Sequence, residues 1–506
     1  MLAKVFSCAV IGLDGHVIEV EVDISAGLPS FTIVGLPDTA VQEARERVRS
    51  AIRNSGCFFP AKRVTVNLAP AHIKKAGPAY DLPIAIGILI STGQISANLQ
   101  KTIFLGEISL DGSVRHTNGI LPMAAVAREK DMQEVYLPSE DASEAALVSD
   151  LKIIPCLSLS QIIFHLRGEI EIPPYITSNS TANVQPDLSR FDMRHIKGQE
   201  HAKRAMEIAA AGAHNVLMSG PPGSGKTMLA RSLPTLLPEL NIKQAIEVTK
   251  IYSVCGLLGD HKPLVNRPPF RSPHYTISHA GLVGGGHLPR PGEISLGHNG
   301  ILFLDEFPEF SRISLESLRQ PLEDKVVTIS RAQGSTTFPA NFMLVAAMNP
   351  CPCGYYGDNT RECKCTFAEI LRYQKRISGP LLDRIDIYIE VPRVEYEKLM
   401  ADQDSETSDV VRNRVIQARR IQSQRFENRN IIANSEMTSL EVKEFCKTDI
   451  SAQSLLRTAM KQMNFTARSF HRILKLARTI ADLDGADIIK ANHLAESLQY
   501  RHRAAS

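Results

Sequence analysis

The sequence predicts a multidomain α/β protein: a first α/β domain, a second α/β domain built on a phosphate-binding loop, and an all-helical C-terminal region. Three observations carry this. Strand-like and helix-like patterns alternate up to about residue 170. The apolar run Asn215-Val-Leu-Met-Ser219 leads into Gly220-Pro-Pro-Gly-Ser-Gly-Lys-Thr227, which fits G-x-x-x-x-G-K-[ST] between an expected strand and an expected helix. Beyond residue 410 the pattern reads as helical throughout. At 506 residues the chain has room for several domains, on a loose prior of about 150 residues each.

In the first domain, residues 1–172, His16-Val-Ile-Glu-Val-Glu-Val-Asp-Ile24 and Lys62-Arg-Val-Thr-Val-Asn-Leu68 alternate apolar and polar residues as strands do. Between them Asp38 caps a helical spacing of Val41, Ala44, Val48 and Ile52. Further strands are expected near Ile103 and Val135, with helices near Pro122 and Ala142. Pro173-Pro174 and the polar run Thr177–Asn183 mark a linker at 173–190. The second domain takes residues 191–395, an acidic linker 396–409, and the helical region 410–506. The sequence shows no internal repeat.

Composition narrows the function. A net charge of +3 dictates no nucleic-acid partner, so any such partner must be held by local patches. The longest apolar stretch, Leu82–Ile90, falls far short of the roughly 20 residues that span a bilayer. No membrane partner is expected. Residues 1–8 lack the apolar core of a signal peptide, and a cytoplasmic location follows. Nine cysteines are then thiols or metal ligands instead of a disulfide framework.

The phosphate loop implies a nucleoside triphosphate. Gly220, Gly223 and Gly225 let the backbone at Pro221, Pro222 and Ser224 wrap a polyphosphate, with N–H groups and a helix N-terminus facing its charge. Lys226 is placed to reach the β and γ phosphates and Thr227 to offer a hydroxyl to Mg²⁺. Gly300-Ile-Leu-Phe-Leu-Asp-Glu306 is an apolar strand ending in two carboxylates. Asp305 suits Mg²⁺ and Glu306 suits polarising a water; a buried strand ending at an acidic turn is the bland alternative. Phe342–Met348 is a further strand, and the amide of Asn349 after it can orient the same water without adding charge. In Gly379-Pro-Leu-Leu-Asp-Arg-Ile-Asp386, Arg384 suits an arginine finger on a neighbouring subunit's ATP, or a structural pair with Asp383 or Asp386.

This ordered set, with Ile196-Lys-Gly-Gln-Glu200 ahead of it, resembles an AAA+ ATPase. Phe270–Ser278, Leu282–Gly286, Pro289–Leu296 and Met348-Asn-Pro-Cys-Pro-Cys-Gly354 narrow the resemblance to the magnesium-chelatase type. It continues through Thr466–Arg472 and Lys475–Ala481, so it covers the chain from about residue 190. It implies that Arg468 is a second sensor of the γ-phosphate, against the plain reading of a solvent-facing arginine. It also implies an inserted hairpin in the long interval between Lys226 and Asp305, directed into the pore of a ring. The residues there, His274, His279, Gly284 to Gly286, His287 and Arg290, suit phosphate backbones; a hairpin packed on the core competes.

Gly77-Pro-Ala-Tyr-Asp-Leu-Pro83 and Asn118-Gly-Ile-Leu-Pro122 resemble the proteolytic domain of Lon. That chemistry needs a serine and a lysine that takes its proton. The matching positions hold Ala79 and Leu121, and no serine in the motif is evident for the preceding Lys74 and Lys75, so no peptidase is expected. A Lon-like front, a chelatase-type AAA+ module and a helical C-terminal lid domain together resemble the YifB/ComM family. Tyr275 stands where histidine is common, away from the ATP chemistry. The resemblance implies a hexameric ATP-driven helicase that branch-migrates recombination intermediates during natural transformation, acting on single-stranded or branched DNA beside recombination proteins. A chaperone-like remodeller of protein or metallo-tetrapyrrole complexes is the rival.

Two clusters remain. Cys351, Cys353, Cys363 and Cys365 offer four thiolates to a structural Zn²⁺, though the C-x-C spacing is tight and four reduced thiols fit equally. Arg412, Arg414, Arg419, Arg420, Arg425 and Arg429 load one helix with positive charge, either facing DNA or forming the solvated side of a lid helix.

Overall fold

The computed structural model describes residues 2–75, 77–176, 188–259, 263–286, 289–331, 334–358, 361–394, 406–429, 431–462 and 466–501. The polar run 177–183, most of both expected linkers and His287 lie outside the described residues. The architecture is mixed α/β. Contacts divide the chain into two compact units: Met1–Ala182 with Ala245–Val265 and His287–Arg290, and Asn183–Gln244 with Asn266–Gly286 and Pro291–Ser506.

The first unit is built on a seven-stranded mixed sheet. Its strands are β1 (Ala3–Ile11), β2 (Asp14–Ser25), β3 (Ser30–Val34), β4 (Arg63–Ala69), β5 (Thr102–Phe104), β6 (Glu134–Pro138) and β7 (Lys152–Cys156). Their order is β3-β4-β2-β1-β5-β6-β7. Alternation sets the faces: Ile18, Val20 and Val22 of β2 are fully buried, while Glu19, Glu21 and Asp23 between them are not. Helix α1 (Thr39–Asn54) is capped by Asp38, whose carboxylate accepts from the N–H of Val41. Helix α2 (Asp81–Ser91) is buried along nearly its whole length, so the longest apolar run is a core helix. At its start Asp81 accepts from Arg47 Nε at 2.6 Å. Burial pushes the Asp81 carboxyl up to about 6, with Arg47 pulling it the other way.

Ala79 and Leu121 are both buried, and the Lys75 ammonium donates to the carbonyl of Pro70. Helix α3 (Ile120–Glu129) follows Gly119, whose N–H donates to the carbonyl of Ser253 at 3.1 Å. The Ser253 hydroxyl donates to Glu144 at 2.5 Å, and Glu144 also accepts from the N–H of Leu121 at 2.7 Å. Burial raises the Glu144 carboxyl. Residues 245–265 therefore finish this unit, although they lie after the phosphate loop in sequence.

The second unit carries a five-stranded, wholly parallel sheet. It starts with helix α4 (Glu200–Gly212), strand β8 (Val216–Ser219) and helix α5 (Lys226–Leu236). Strands β9 (Phe270–Arg271) and β10 (Ile301–Leu304) come next. Helix α6 (Arg319–Asp324) precedes an antiparallel hairpin, β11 (Val326–Arg331) and β12 (Gly334–Pro339); β13 (Met343–Met348) and β14 (Ile387–Glu390) close the sheet. The order is β9-β10-β13-β8-β14. Every residue of β8, β10 and β13 is buried, the pattern of parallel strands covered on both faces.

The described part of the chain from 408 to 499 is helical, including α7 (Ser408–Arg425), α8 (Ala467–Leu483) and α9 (Ala491–Gln499). The arginines of α7 are mostly tied down. Arg414 meets Glu207 and Glu406, Arg419 donates to the carbonyl of Ala210, and Arg425 meets Asp482. The charge run thus pins a helix to its neighbours, leaving Arg420 exposed. Asp482 is fully buried between Arg478 and Arg425 and also accepts from Asn434 at 2.7 Å. Asp482→Ala should cost about 3–5 kcal/mol, because two buried guanidinium groups lose their counter-charge. Denaturant unfolding checks it; a change below about 1 kcal/mol would mean that solvent already screens this pair.

Candidate nucleotide site

The site lies at the carboxyl edge of the parallel sheet, where open α/β sheets place their ligands. Strand β8 runs between β13 and β14, with Ser219 level with Met348 and Glu390. The chain then turns at Gly220, whose N–H donates to the carbonyl of Met348 at 3.2 Å. A Cβ there would sit 2.1 Å from the carbonyl oxygen of Val391, so only glycine fits. Gly223 and Gly225 take φ of 77° and 88°, left-handed values that glycine adopts without strain. Helix α5 begins at Lys226 with no side-chain cap, leaving its first N–H groups for an anion.

Lys226 Nζ donates to the carbonyls of Gly220 (2.6 Å) and Pro221 (2.9 Å), and lies 3.4 Å from Ser224 Oγ and Asn349 Oδ1. Burial lowers its pKa to about 8, with the charge of Asp305 opposing. Thr227 Oγ1 donates to Asp305 Oδ2 at 2.9 Å. Asp305 Oδ1 accepts from the N–H of Glu306 at 2.9 Å. Glu306 itself sits exposed in a left-handed turn with φ of 52°. Strand pairing brings these groups together: Leu304 of β10 is level with Ala346 of β13, and Met348 of β13 with Ser219 of β8. Lys226, Thr227, Asp305 and Asn349 therefore form one cluster.

Arg384 stands elsewhere. It precedes β14, and its carbonyl accepts from the Asn215 side chain, just ahead of β8, at 2.9 Å. Both mark the amino edge of the sheet. A four-residue strand spans about 13 Å, which separates Arg384 from the phosphate loop of its own chain. Its guanidinium meets Glu323, at 52% exposure, and Arg468 Nη2 donates to the other oxygen of that carboxylate at 2.9 Å. Arg384 Nε is buried without a hydrogen-bond partner among the described residues. Neither Asp383 nor Asp386 pairs with Arg384 among the described contacts; Asp386 Oδ2 instead meets His214 Nδ1 at 3.2 Å.

Three participants were not marked by the sequence as functional. Gln199, in a left-handed conformation, donates through Nε2 to the carbonyls of Ser224 (2.6 Å) and Pro392 (3.1 Å), bracing the loop. Glu323 joins the two arginines. The hairpin β11–β12 buries Val327, Ile329 and Phe338 and exposes Thr328, Ser330 and Arg331. Its Arg331 guanidinium lies 3.4 Å from where a Cβ on Gly285 would be, so it adjoins the glycine-rich insert. The insert holds a short helix, His279–Val283, with His274 and His279 exposed, and its base is fixed by the paired bonds of Arg271 and Glu293 at 2.7 Å.

Family models described as Magnesium chelatase, subunit ChlI and as its C-terminal part match residues 192–399 and 405–501, and Subunit ChlI of Mg-chelatase matches 20–141. Competence protein ComM of Haemophilus influenzae is 45% identical over 506 residues, covering 99% of this chain and 97% of its own. The chain belongs to the YifB/ComM family of magnesium-chelatase-like proteins. YifB of Escherichia coli is 42% identical over 503 residues, covering 99% and 97%. Lon protease 2 of Bacillus subtilis shares 28% identity over 187 residues, 31% of this chain and 33% of its own. For a YifB/ComM protein the mixed α/β units and the parallel sheet fit a magnesium-chelatase-like AAA+ fold. The ATP and Mg²⁺ that the family implies suit the donors present. Thr227 and Asp305 bring two hard oxygens together, and the space beside Gly223 is open. Among the described residues no helix is long and apolar enough to cross a membrane.

Proposed function

We propose that this YifB/ComM protein is a Mg²⁺-dependent ATP hydrolase that works as a homo-hexameric ring. We propose further that it moves on single-stranded or branched DNA, promoting branch migration of recombination intermediates during natural transformation. The observation that carries the ring is the position of Arg384 at the edge of the sheet opposite its own phosphate loop, together with Arg468 on the shared Glu323. Two arginines held there serve the ATP of a neighbour. The competence name of the 45% identical relative supports the role in transformation.

In this reading the N–H groups from Gly223 to Thr227 receive the phosphates, and the Lys226 ammonium leaves the carbonyls of Gly220 and Pro221 for the β and γ oxygens. Thr227 and Asp305 would hold Mg²⁺, which would supply neutralising charge to those oxygens. Glu306 takes a proton from the attacking water and Asn349 orients it. Arg384 and Arg468 exchange Glu323 for the phosphates next door, so that hydrolysis in one protomer moves another. The exposed hairpin β11–β12 and the glycine-rich insert offer hydroxyls, histidines and Arg331 to a phosphate backbone.

The lowered pKa of Lys226 gives a pH signature. Phosphates bind the charged ammonium, and the free site loses that charge as pH rises through about 8. Nucleotide affinity should therefore fall about tenfold per unit as pH rises above that value. A Lys226→Arg variant with measurable affinity should lack that fall; the same fall in it would assign the titration to another group.

ATPase rates with no DNA, single-stranded DNA, duplex and a synthetic junction, beside a Lys226→Ala control, test the whole reading. Stimulation by DNA that disappears in the control supports the motor and makes junction migration the next assay. Hydrolysis indifferent to every DNA would leave the ATPase and remove the helicase, turning attention to remodelling of protein or metallo-tetrapyrrole complexes.

A further inference from the structure

One group of thiols among the described residues is arranged as a metal site. Cys351 and Cys353 follow β13, and Cys363 and Cys365 precede a helix at Phe367–Gln374. All four sulfurs lie within 4.8 Å of one another. Cys351 to Cys353 is 3.3 Å, Cys353 to Cys363 3.5 Å and Cys351 to Cys363 3.6 Å. A tetrahedral zinc with bonds of about 2.3 Å sets its sulfurs about 3.8 Å apart, whereas bonded disulfide sulfurs lie about 2.05 Å apart. The spacing fits a shared cation. Two backbone groups turn toward the sulfurs, Cys353 N–H to Cys365 at 3.4 Å and Tyr356 N–H to Cys351 at 3.3 Å, as thiolate ligands require.

The same loop touches the nucleotide site. Gly354 has φ of 86°, and a Cβ there would lie 2.6 Å from the Pro222 ring and 3.8 Å from the carboxamide carbon of Asn349. Its backbone is thus pressed onto the phosphate loop. Asn349 is two residues before the first ligand, and the intervening Pro350 is held through its carbonyl by Gln374 Nε2 at 3.2 Å. Asp358 of this loop pairs with Arg393 at 3.3 Å, beside the Pro392 carbonyl that Gln199 uses.

We propose that Cys351, Cys353, Cys363 and Cys365 bind one Zn²⁺ and that the metal-tied loop holds Asn349 and braces Pro222, so that zinc loading sets the rate of hydrolysis. The cation touches neither nucleotide nor water; each thiol releases its proton to solvent as its sulfur takes the metal. The rate effect rests on the nucleotide reading above, and Asn349 acts in it as a positioning target.

Three measurements on the full-length chain test this. The first is zinc per chain. The second is the tetrahedral thiolate absorption of protein reloaded with Co²⁺. The third compares turnover and fluorescent-nucleotide affinity in wild type and in Cys363→Ser/Cys365→Ser. We expect one zinc per chain, none in the double variant, kcat lower by about 10- to 100-fold, as for a misplaced catalytic group, and a weaker nucleotide affinity. Circular dichroism identifies an unfolded variant, and in that case mercurial release of zinc from the wild-type chain, reversed by thiol and Zn²⁺, replaces it. Zinc absent from wild type, or turnover and affinity unchanged without zinc, would overturn the proposal. If the zinc-loaded chain binds nucleotide without hydrolysing it, the hydrolase reading and the rate effect that rests on it fail together, while zinc content and nucleotide affinity still decide whether the four thiols hold a metal that braces the phosphate loop.

Discussion

Arg384→Ala should lower ATP hydrolysis by about 10³- to 10⁵-fold, the span measured for arginine fingers, while nucleotide still binds. The large effect follows from where the charge is needed. On the proposed reading, Lys226 and Mg²⁺ would offset much of the phosphate charge in the ground state, and Arg384 would meet the further charge that the transition state spreads over the transferring group. Mixing decides between neighbour and self. A Lys226→Ala chain has no working phosphate loop but an intact Arg384; the Arg384→Ala chain has the reverse. Each is inactive alone, and mixed rings contain interfaces with both groups intact. Recovered hydrolysis in the mixture is the expected result. A strictly monomeric active enzyme would remove the ring, and no recovery in assembled mixtures would return Arg384 to a structural part on Glu323.

The second large effect belongs to Glu306. Removing its basicity with Glu306→Gln should cut kcat by about 10²- to 10⁴-fold, the range of general-base contributions, and leave ATP bound and the ring assembled. Glu306 is exposed, while its neighbour Asp305 is bound to Thr227 and to the N–H of Glu306. On the proposed reading the two carboxylates differ in role: Asp305→Asn should raise the Mg²⁺ concentration needed for half-maximal rate, and Glu306→Gln should not. Similar Mg²⁺ dependence in both variants, or near-normal turnover in Glu306→Gln, would contradict this division.

The carboxyl edge of the parallel sheet was legible because each strand there is an apolar run leading directly to a polar or charged residue of the cluster: β8 to the phosphate loop, β10 to Asp305 and β13 to Asn349. Parallel strands buried on both faces write that pattern plainly. Other parts leave weaker traces. Gln199 reaches residues 25 and 193 positions away, and nothing local announces either contact. Glu323 meets partners 61 and 145 positions distant. The hairpin β11–β12 has a short period of two made of Val, Thr, Ile, Ser and Phe, easily lost among the hydroxyl residues around it. The arginines of α7 show the limit of counting charge. Their spacing is visible in the sequence, but Glu207, Glu406 and Asp482, which neutralise several of them, come from other elements. In the first unit, Leu82–Ile90 shows in the sequence as an apolar run too short for a bilayer, and its burial as a core helix comes from the elements packed around it.

Residues 245–265 give the first unit a consequence during synthesis. The ribosome releases residues 1–182 well before the segment that supplies Ser253 to Glu144 and to the N–H of Gly119. Until then the nascent chain carries a carboxylate meant for burial, missing one of its donors, and an open seat beside α3. The strand, loop and helix of the nucleotide site emerge in that interval. The first unit of this chain thus has its last segment made only after the phosphate loop of the second, and a gene fragment ending at 182 would yield a piece with that seat left open to other chains.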